Sequence, residues 1–267
     1  MKQFPQIISK VFEQPWLITP AKHRAIQRLI STHLGGTSIV SAPDEEMPEP
    51  EIAMDGGTAI IPVHGIIGKH LSGMELMCGG CDLDEVSDML DMAAADESVA
   101  RVLLDFRSPG GTVTGIPELG RKIANYPKPT IGFTDSESCS ASYWLMSQCR
   151  SAYATESSTV GSVGVYMALL DESRALENEG IKINAIKAGE FKLAGASFKP
   201  LSDSERAMFQ AGVDKLHAQF KEAVLRNRQI DASCLEGQCF DGEEAVANGM
   251  VDGLVESITD VLDTLES

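Results

Sequence analysis

Short apolar runs alternate with helical patterns along the middle of the chain, and this alternation constrains the fold more than any other feature. The strand-like runs lie at about 58–67, 102–106, 130–134, 152–155, 163–168 and 182–187. The helical patterns lie at about 83–95, 115–126, 141–149 and 171–179. Such a succession predicts an α/β fold with helices packed around a largely parallel sheet, joined by right-handed crossovers.

The N-terminal part of the chain has a different character. Residues 1–35 favour a helical lead-in, with Thr19 as a candidate N-cap. Residues 36–57 are rich in acidic residues, proline and glycine, as linkers are. We therefore expect a helical extension with an acidic linker over residues 1–56, and one main domain over residues 57–267.

Helical patterns dominate the last third of the chain, at about 203–228, 242–248 and 257–265. On the long one, apolar residues recur at steps of three or four: Phe209, Val213, Leu216, Phe220 and Val224. This stripe is typical of a face that packs on a core, and it would equally serve as a contact between subunits. We expect a homo-oligomer built on it.

Composition excludes several classes of function. The formal net charge of −17 disfavours a nucleic-acid partner. No window approaches the roughly 18–20 uncharged apolar residues of a membrane span, and the first residues lack the apolar core of a secretory signal, so we expect a cytoplasmic protein with no membrane contact. The six cysteines are expected to be free thiols, and the Cys78–Cys81 pair is a weak zinc or redox signal that we interpret as a plain loop.

The segment Ser108-Pro109-Gly110-Gly111 directly follows an apolar strand-like run. Two glycines let the backbone turn sharply and let a substrate approach unshielded N–H groups. The segment can be an ordinary strand-to-helix turn. It can also form an oxyanion hole, in which an N–H group holds the negative oxygen of an acyl-transfer intermediate.

A cluster of serines precedes the apolar helical pattern at about 141–149, and its members are Ser136, Ser138, Ser140 and Ser142. A serine at the start of a helix is often only a cap. It is also a position where a nucleophile is exposed, with the next N–H group pointing at the same oxyanion. Position alone does not select one serine of the four.

A nucleophilic serine needs a base, and none of the five histidines has a spacing that suggests a Ser-His-Asp triad. Lys192 follows the apolar run at 182–187 and is the alternative. Lowering a lysine pKa from about 10.4 to about 7 costs roughly 4–5 kcal/mol, which desolvation in an apolar site can supply. A lysine considered alone is nevertheless expected to be solvated.

The order of these motifs changes the interpretation. SPGG follows a strand, Ser140-Ala141-Ser142-Tyr143-Trp144 opens a helix, and Gly161-Ser162-Val163-Gly164 and Phe191-Lys192 follow. Over residues 58–255 the chain resembles the signal peptide peptidase A (protease IV) family of serine peptidases, which shares its superfamily with the Clp proteolytic subunit and crotonase. The resemblance implies a Clp/crotonase-like βαβ superhelix.

The same resemblance implies a role for each residue of a Ser-Lys dyad. Ser140 would be the nucleophile, Lys192 the general base, and the N–H groups of Gly111 and Ala141 the oxyanion hole. Ser162 would orient the lysine amine, and neither a metal nor a cofactor is implied. Family members usually have two glycines after the serine, so the Ala141-Ser142 pair is a departure that adds a competing hydroxyl.

The lead-in before the acidic arm resembles the head-maturation proteases of tailed phages and prophages. That resemblance implies an endopeptidase acting on scaffold, capsid or portal proteins, in the host cytoplasm or the prohead. Three alternatives stay open: a general bacterial peptide or signal-peptide peptidase without an anchor, a crotonase-type acyl-CoA enzyme, and a non-catalytic assembly protein. The acyl-CoA alternative would call for a glutamate where Ser140 stands.

Overall fold

The computed structural model of the protein describes residues 15–19, 23–24 and 51–266. Within them the strands are β1 Trp16–Ile18, β2 Ala53–Asp55, β3 Thr58–His64, β4 Ile66–Gly68, β5 Gly80–Asp82, β6 Arg101–Arg107, β7 Gly110–Thr112, β8 Thr130–Thr134, β9 Glu137–Cys139, β10 Ser151–Ala154, β11 Thr159–Gly161, β12 Cys239–Phe240 and β13 Gly253–Leu254. The helices are α1 Gly73–Met77, α2 Leu83–Ala95, α3 Ile116–Ala124, α4 Ala141–Met146, α5 Ser173–Asn178, α6 Asp203–Asn227, α7 Gly242–Ala247 and α8 Ile258–Glu266, with a 3₁₀ turn at Ala232–Cys234. The predicted α/β class is confirmed.

The strands form three sheets. The largest has the order β13-β10-β8-β6-β3-β2 and is parallel except for the β2–β3 pair. A four-stranded sheet has the order β1-β7-β4-β5, and a three-stranded sheet has the order β12-β11-β9. The predicted parallel sheet is therefore the large one.

Strands of the two small sheets directly follow strands of the large sheet along the chain. Strands β3, β6, β8 and β10 each continue, after one to four residues, into β4, β7, β9 and β11. Because parallel strands end at the same edge of a sheet, the four continuations lie together at one edge. The SPGG segment, the serine cluster and the Gly-Ser-Val-Gly segment all lie at this edge.

Both faces of the central strands β6 and β8 are buried, as expected for parallel strands covered by helices. Val102, Leu104 and Phe106 of β6 face the main core, which also holds the buried side of α2. Leu103 points to the other face and packs in a smaller cluster with Val261 of α8. The helix α2 begins after its N-cap Asp82, whose carboxylate accepts from the N–H of Asp84.

Two predicted strands are wrong. Residues 163–168 form only a single bridge, between Tyr166 and Trp16, and residues 182–187 contain no regular element. Ile186 is fully exposed. Apolar content predicted strands there, but a strand also needs a neighbouring strand to accept its hydrogen bonds, and none of the described strands pairs with 182–187.

The described N-terminal residues also differ from expectation. Residues 16–18, within the predicted helical lead-in, form strand β1 on the edge of the four-stranded sheet. The proposed Thr19 helix falls mostly outside the described residues. Part of the expected linker, residues 53–55, is strand β2, and the boundary at 56/57 stays a proposal.

The structure confirms a core face on part of the long helix, and it corrects the interpretation of the cysteine pair. In the stripe on α6, Phe220 and Val224 are buried in the main core, so the C-terminal part of the stripe is a core face of the same chain. The interpretation of Cys78–Cys81 as a plain loop is wrong for Cys81, which is buried in strand β5, while Cys78 is exposed at the end of α1.

Candidate active site

Ser140 lies at the junction between strand β9 and helix α4. Its φ of +56° and ψ of −116° are unusual for a residue with a side chain, and such a conformation persists only where the surroundings hold it. Its N–H donates to the carbonyl of Gly161 at 2.7 Å, and its hydroxyl does not cap α4. The helix-cap interpretation therefore fails for Ser140, and the sharp strand-to-helix turn is of the kind that presents a nucleophile.

Ser162 repeats this geometry on the neighbouring strand. Strands β9 and β11 are parallel with Cys139 opposite Gly161, so Ser140 and Ser162 follow their strands side by side. Ser162 has a φ of +55° and donates its N–H to the carbonyl of Gln238 at 2.6 Å. The structure thus brings together two of the residues selected from the sequence, both in strained conformations.

The other serines of the cluster are accounted for. The hydroxyls of Ser138 and Ser142 are 3.0 Å apart and hydrogen-bonded to each other, and both side chains are fully buried. Ser136 is exposed at the surface. By contrast, among the described residues the Ser140 hydroxyl has only a long contact, 3.5 Å to the carbonyl of Gly164. The hydroxyl that competed with Ser140 in the sequence is therefore engaged elsewhere.

Helix α4 holds Ser140 in place because every residue of the helix is buried. The hydroxyl of Tyr143 donates to the carbonyl of Met250 at 3.0 Å. The ring of Trp144 stacks on Phe220 of α6, with centroids 4.7 Å apart. The N–H of Ala141, in the first turn, has no acceptor within the helix and remains available to an anion.

The SPGG segment lies directly against Ser140. Gly110 has a φ of +101°, and a Cβ added there would stand 3.0 Å from the Cβ of Ser140 and 2.9 Å from the carbonyl oxygen of Cys139. A Cβ on Gly111 would stand 1.8 Å from the carbonyl oxygen of Ile67. Both glycines are therefore required by close approach of backbone, and the segment is a wall of the Ser140 site.

Two cysteines flank the same strand junction. Cys139 and Cys239 lie opposite Gly161 on its two neighbouring strands. A hydrogen bond from the Cys139 thiol lowers the pKa of Cys239 to about 7, with help from a hydrogen bond to Ser162. The same pairing, together with burial, raises the pKa of Cys139.

With this geometry in place, the family can be assigned. A model of the family described as Peptidase family S49 matches residues 123–267, which is more than half of the chain. The chain belongs to peptidase family S49. The matched range includes Ser140, Ser162 and Lys192.

Phage proteins are among the relatives of this S49 chain. The head-tail preconnector protein GP5 of Enterobacteria phage P21 is 28% identical over 281 residues, covering 96% of this chain and 56% of that protein. The capsid assembly protease C of Escherichia phage lambda is 27% identical over 295 residues, covering 100% of this chain and 67% of that protein. The chain thus spans little more than half of the first relative. Among solved structures, an enoyl-CoA hydratase of Mycobacterium smegmatis has a TM-score of 0.47 at 15% identity, over 82% of this chain and 75% of that one.

Lys192 is not part of the Ser140 cluster in this structure. It is exposed, in a series of turns between α5 and α6, and its N–H donates to the carbonyl of Gly189 at 3.4 Å. Its amine forms no hydrogen bond or ion pair with any residue that the structure describes. The structure brings Ser140, Ser162, Gly111 and Ala141 to one place, and Lys192 lies apart.

Neither a metal site nor a membrane-spanning helix is found among the described residues. No group of three or more histidine, cysteine, aspartate or glutamate side chains there could hold a metal ion. Among the helices described, none combines the length and apolar content needed to cross a membrane.

Sequence reasoning missed three parts of this S49 site. These are strand β1, the bridge at Tyr166 and the Cys139–Cys239 pair. A signal for β1 was present, since Trp16-Leu17-Ile18 is a short apolar run between Pro15 and Pro20. The thiol pair joins residues 100 positions apart, and nothing local in the sequence connects them.

Proposed function

We propose that the chain is a serine endopeptidase in which Ser140 is the nucleophile and Lys192 the general base. The observation that carries the proposal is the strained turn of Ser140, which holds an uncapped hydroxyl against Gly110. Backbone strain of the kind found at Ser140 is typical of a functional position. The competing hydroxyl of Ser142 is instead paired with Ser138.

In the first half of the reaction, the neutral amine of Lys192 takes the proton of the Ser140 hydroxyl, and the oxygen attacks the peptide carbonyl. The N–H groups of Gly111 and Ala141 stabilise the resulting oxyanion. The lysine then gives its proton to the leaving amine as the carbon–nitrogen bond breaks. This leaves an ester between Ser140 and the acyl half of the substrate.

In the second half, the amine of Lys192 takes a proton from water, and the hydroxide attacks the ester carbonyl. The bond to the Ser140 oxygen breaks, the serine regains its proton from the lysine, and the acid product leaves. Ser162 is proposed to orient the lysine amine. This role requires the amine to reach the serines in the active assembly, because among the described residues it forms no hydrogen bond with either serine.

The proposed substrates are proteins of a phage head, namely scaffold, capsid or portal proteins. The names of the two phage relatives support this proposal, since one is a capsid assembly protease and the other a head-tail preconnector. The proposed place of action is accordingly the host cytoplasm or the prohead.

The active form is proposed to be a homo-oligomer. Support comes from large apolar side chains left exposed between α5 and α6: Ile181, Ile183, Ile186 and Phe191. Exposed apolar residues grouped in one segment are typical of an interaction surface. Light scattering over a dilution series should give a multiple of the 28.6 kDa chain mass, and a monomer with full activity would overturn the proposal.

The proposed substrate class is tested by co-expressing the chain with candidate scaffold, capsid and portal proteins and mapping new N-termini by mass spectrometry. New termini should appear with the unaltered chain and be absent with Ser140→Ala. Cleavage that persists with Ser140→Ala would remove Ser140 as the nucleophile. An absence of new termini in all head proteins, with cleavage of unrelated peptides, would favour a general peptidase.

A further inference from the structure

Strand β1 adds to the edge of the four-stranded sheet, beside the two glycines that form a wall of the Ser140 site. It runs antiparallel to β7, with Leu17 opposite Gly111 and Ile18 opposite Gly110. The N–H of Thr19 donates to the carbonyl of Pro109 at 3.2 Å. Because hydrogen-bonded pairs alternate along an antiparallel ladder, the next such pair after Thr19 and Pro109 is Leu17 and Gly111.

The other edge of β1 is also paired. The N–H of Trp16 donates to the carbonyl of Tyr166 at 2.9 Å, and the N–H of Tyr166 donates to the carbonyl of Trp16 at 3.2 Å. Residues 16–18 therefore fill a groove between β7 and the segment around Tyr166, with backbone hydrogen bonds on both sides. This is how an extended peptide binds by strand addition.

The carbonyl of Leu17 lies at the reactive part of the site. A Cβ added to Gly110 would stand 2.1 Å from the carbonyl oxygen of Leu17. The same point is 3.0 Å from the Cβ of Ser140, so both groups lie next to Gly110. The ladder directs this carbonyl at the N–H of Gly111, which is the proposed oxyanion donor. The peptide unit between Leu17 and Ile18 thus stands where the scissile bond of a substrate would stand.

The side chains of residues 16–18 are also buried in the groove. Leu17 is completely buried in the main core, and Trp16 and Ile18 are almost completely buried. The ring of His23 packs between two other rings: its centroid lies 5.1 Å from that of Trp16 and 5.4 Å from that of Tyr166. The hydroxyl of Tyr166 and Nδ1 of His23 are hydrogen-bonded at 2.5 Å. The groove accepts an extended segment of apolar residues.

We propose that the groove between β7 and Tyr166 binds extended apolar peptide segments, and that Trp16–Ile18 occupies it as an internal substitute for substrate. This inference rests on the proposed peptidase function of Ser140. While the segment is bound, it blocks the approach of another peptide to Ser140. A substrate must displace it, so its apparent affinity is reduced by the fraction of chains in which the groove is open.

The test uses the full chain with Leu17→Asp, which places a carboxylate in an apolar site and disfavours the docked strand. Leu170→Asp is the matched control, because Leu170 is about half exposed and outside the groove. The rate of fluorophosphonate labelling at Ser140 is measured for both variants and the unaltered chain. Leu17→Asp should react at least about tenfold faster, and Leu170→Asp should react like the unaltered chain. Equal rates in all three would overturn the internal block.

A second readout does not depend on catalysis. In the Ser140→Ala chain, hydrogen exchange of the Trp16 and Thr19 amides should be slow, because both donate within the groove. Adding Leu17→Asp should make both fast while the amides of β6 stay protected. Fast exchange of the Trp16 and Thr19 amides in the Ser140→Ala chain that keeps Leu17 would overturn the proposal.

The two readouts separate the possible failures. Slow exchange together with a complete lack of labelling in every variant would overturn the peptidase function and leave the groove occupied. Loss of β6 protection in Leu17→Asp would mean that the variant is unfolded. Leu17→Ala then replaces it, since shortening the side chain weakens docking without burying a charge, and its labelling should still be faster than that of the unaltered chain. An unchanged rate in a folded Leu17→Ala would contradict the proposal.

Discussion

Ser140 is buried among groups from the three-stranded sheet, the four-stranded sheet and helix α4, whereas Lys192 lies in an exposed series of turns. The serine has its neighbours fixed by strand pairing, by the buried helix α4 and by two glycines. Around the lysine, Ile186 is fully exposed and Phe191 is 41% exposed. The serine of the proposed dyad is therefore held by the core, while the amine of the lysine forms no hydrogen bond or ion pair with the described residues.

The largest expected effect is on kcat and comes from changing the exposed lysine of the proposed dyad. Lys192→Arg should lower kcat for peptide cleavage by at least about a thousandfold, because a guanidinium does not release its proton to act as a base. The thermal midpoint should not change, since the amine has no partner among the described residues. Measuring both on the same preparation is decisive, and an active Lys192→Arg enzyme would remove the lysine from the proposed mechanism.

The second prediction contrasts packing in the two regions. Trp144→Ala should lower the free energy of unfolding by about 3–5 kcal/mol, because it removes a buried ring stacked on Phe220. Ile186→Ala should change it by less than about 0.5 kcal/mol, since that side chain is exposed. Urea denaturation gives both values. A similar loss in the two variants would show that the segment around Ile186 is packed in solution.

The smallest effect concerns the thiol beside the serines. The lowered pKa of Cys239 means that the folded chain releases this proton near pH 7 and the unfolded chain near pH 9.0. Stability from this group therefore increases as the pH rises between these values and is absent below pH 7. Alkylation of Cys239 by iodoacetamide should level off above pH 7, and in Cys139→Ala it should keep rising toward pH 9. A rate that rises to pH 9 in the unaltered chain would contradict the thiol hydrogen bond.

Local patterns predicted the elements that carry the site. The strand at 130–134 and the helix start after Ser140 follow from apolar runs and their lengths, and family resemblance selected Ser140 among four serines. The pairing of Ser138 with Ser142 and the conformation of Ser140 depend on strands distant in sequence. No local pattern contains that information.

The errors have the same origin. Residues 182–187 have the composition of a strand but pair with none of the described strands. Strand β1 was missed because it pairs with β7, 92 to 96 positions further along the chain. Whether these segments form strands depends on pairing with strands distant in sequence. Apolar spacing alone therefore did not predict their structure.

The most direct test of the central claim is the site of fluorophosphonate labelling, read by peptide mapping of the full chain. The account predicts one adduct on Ser140, its loss in Ser140→Ala and its retention in Ser142→Ala. Leu17→Asp is included so that an occupied groove does not hide a reactive serine. An adduct on Ser138 or Ser142, or labelling that persists in Ser140→Ala, would contradict the assignment of Ser140 as the nucleophile.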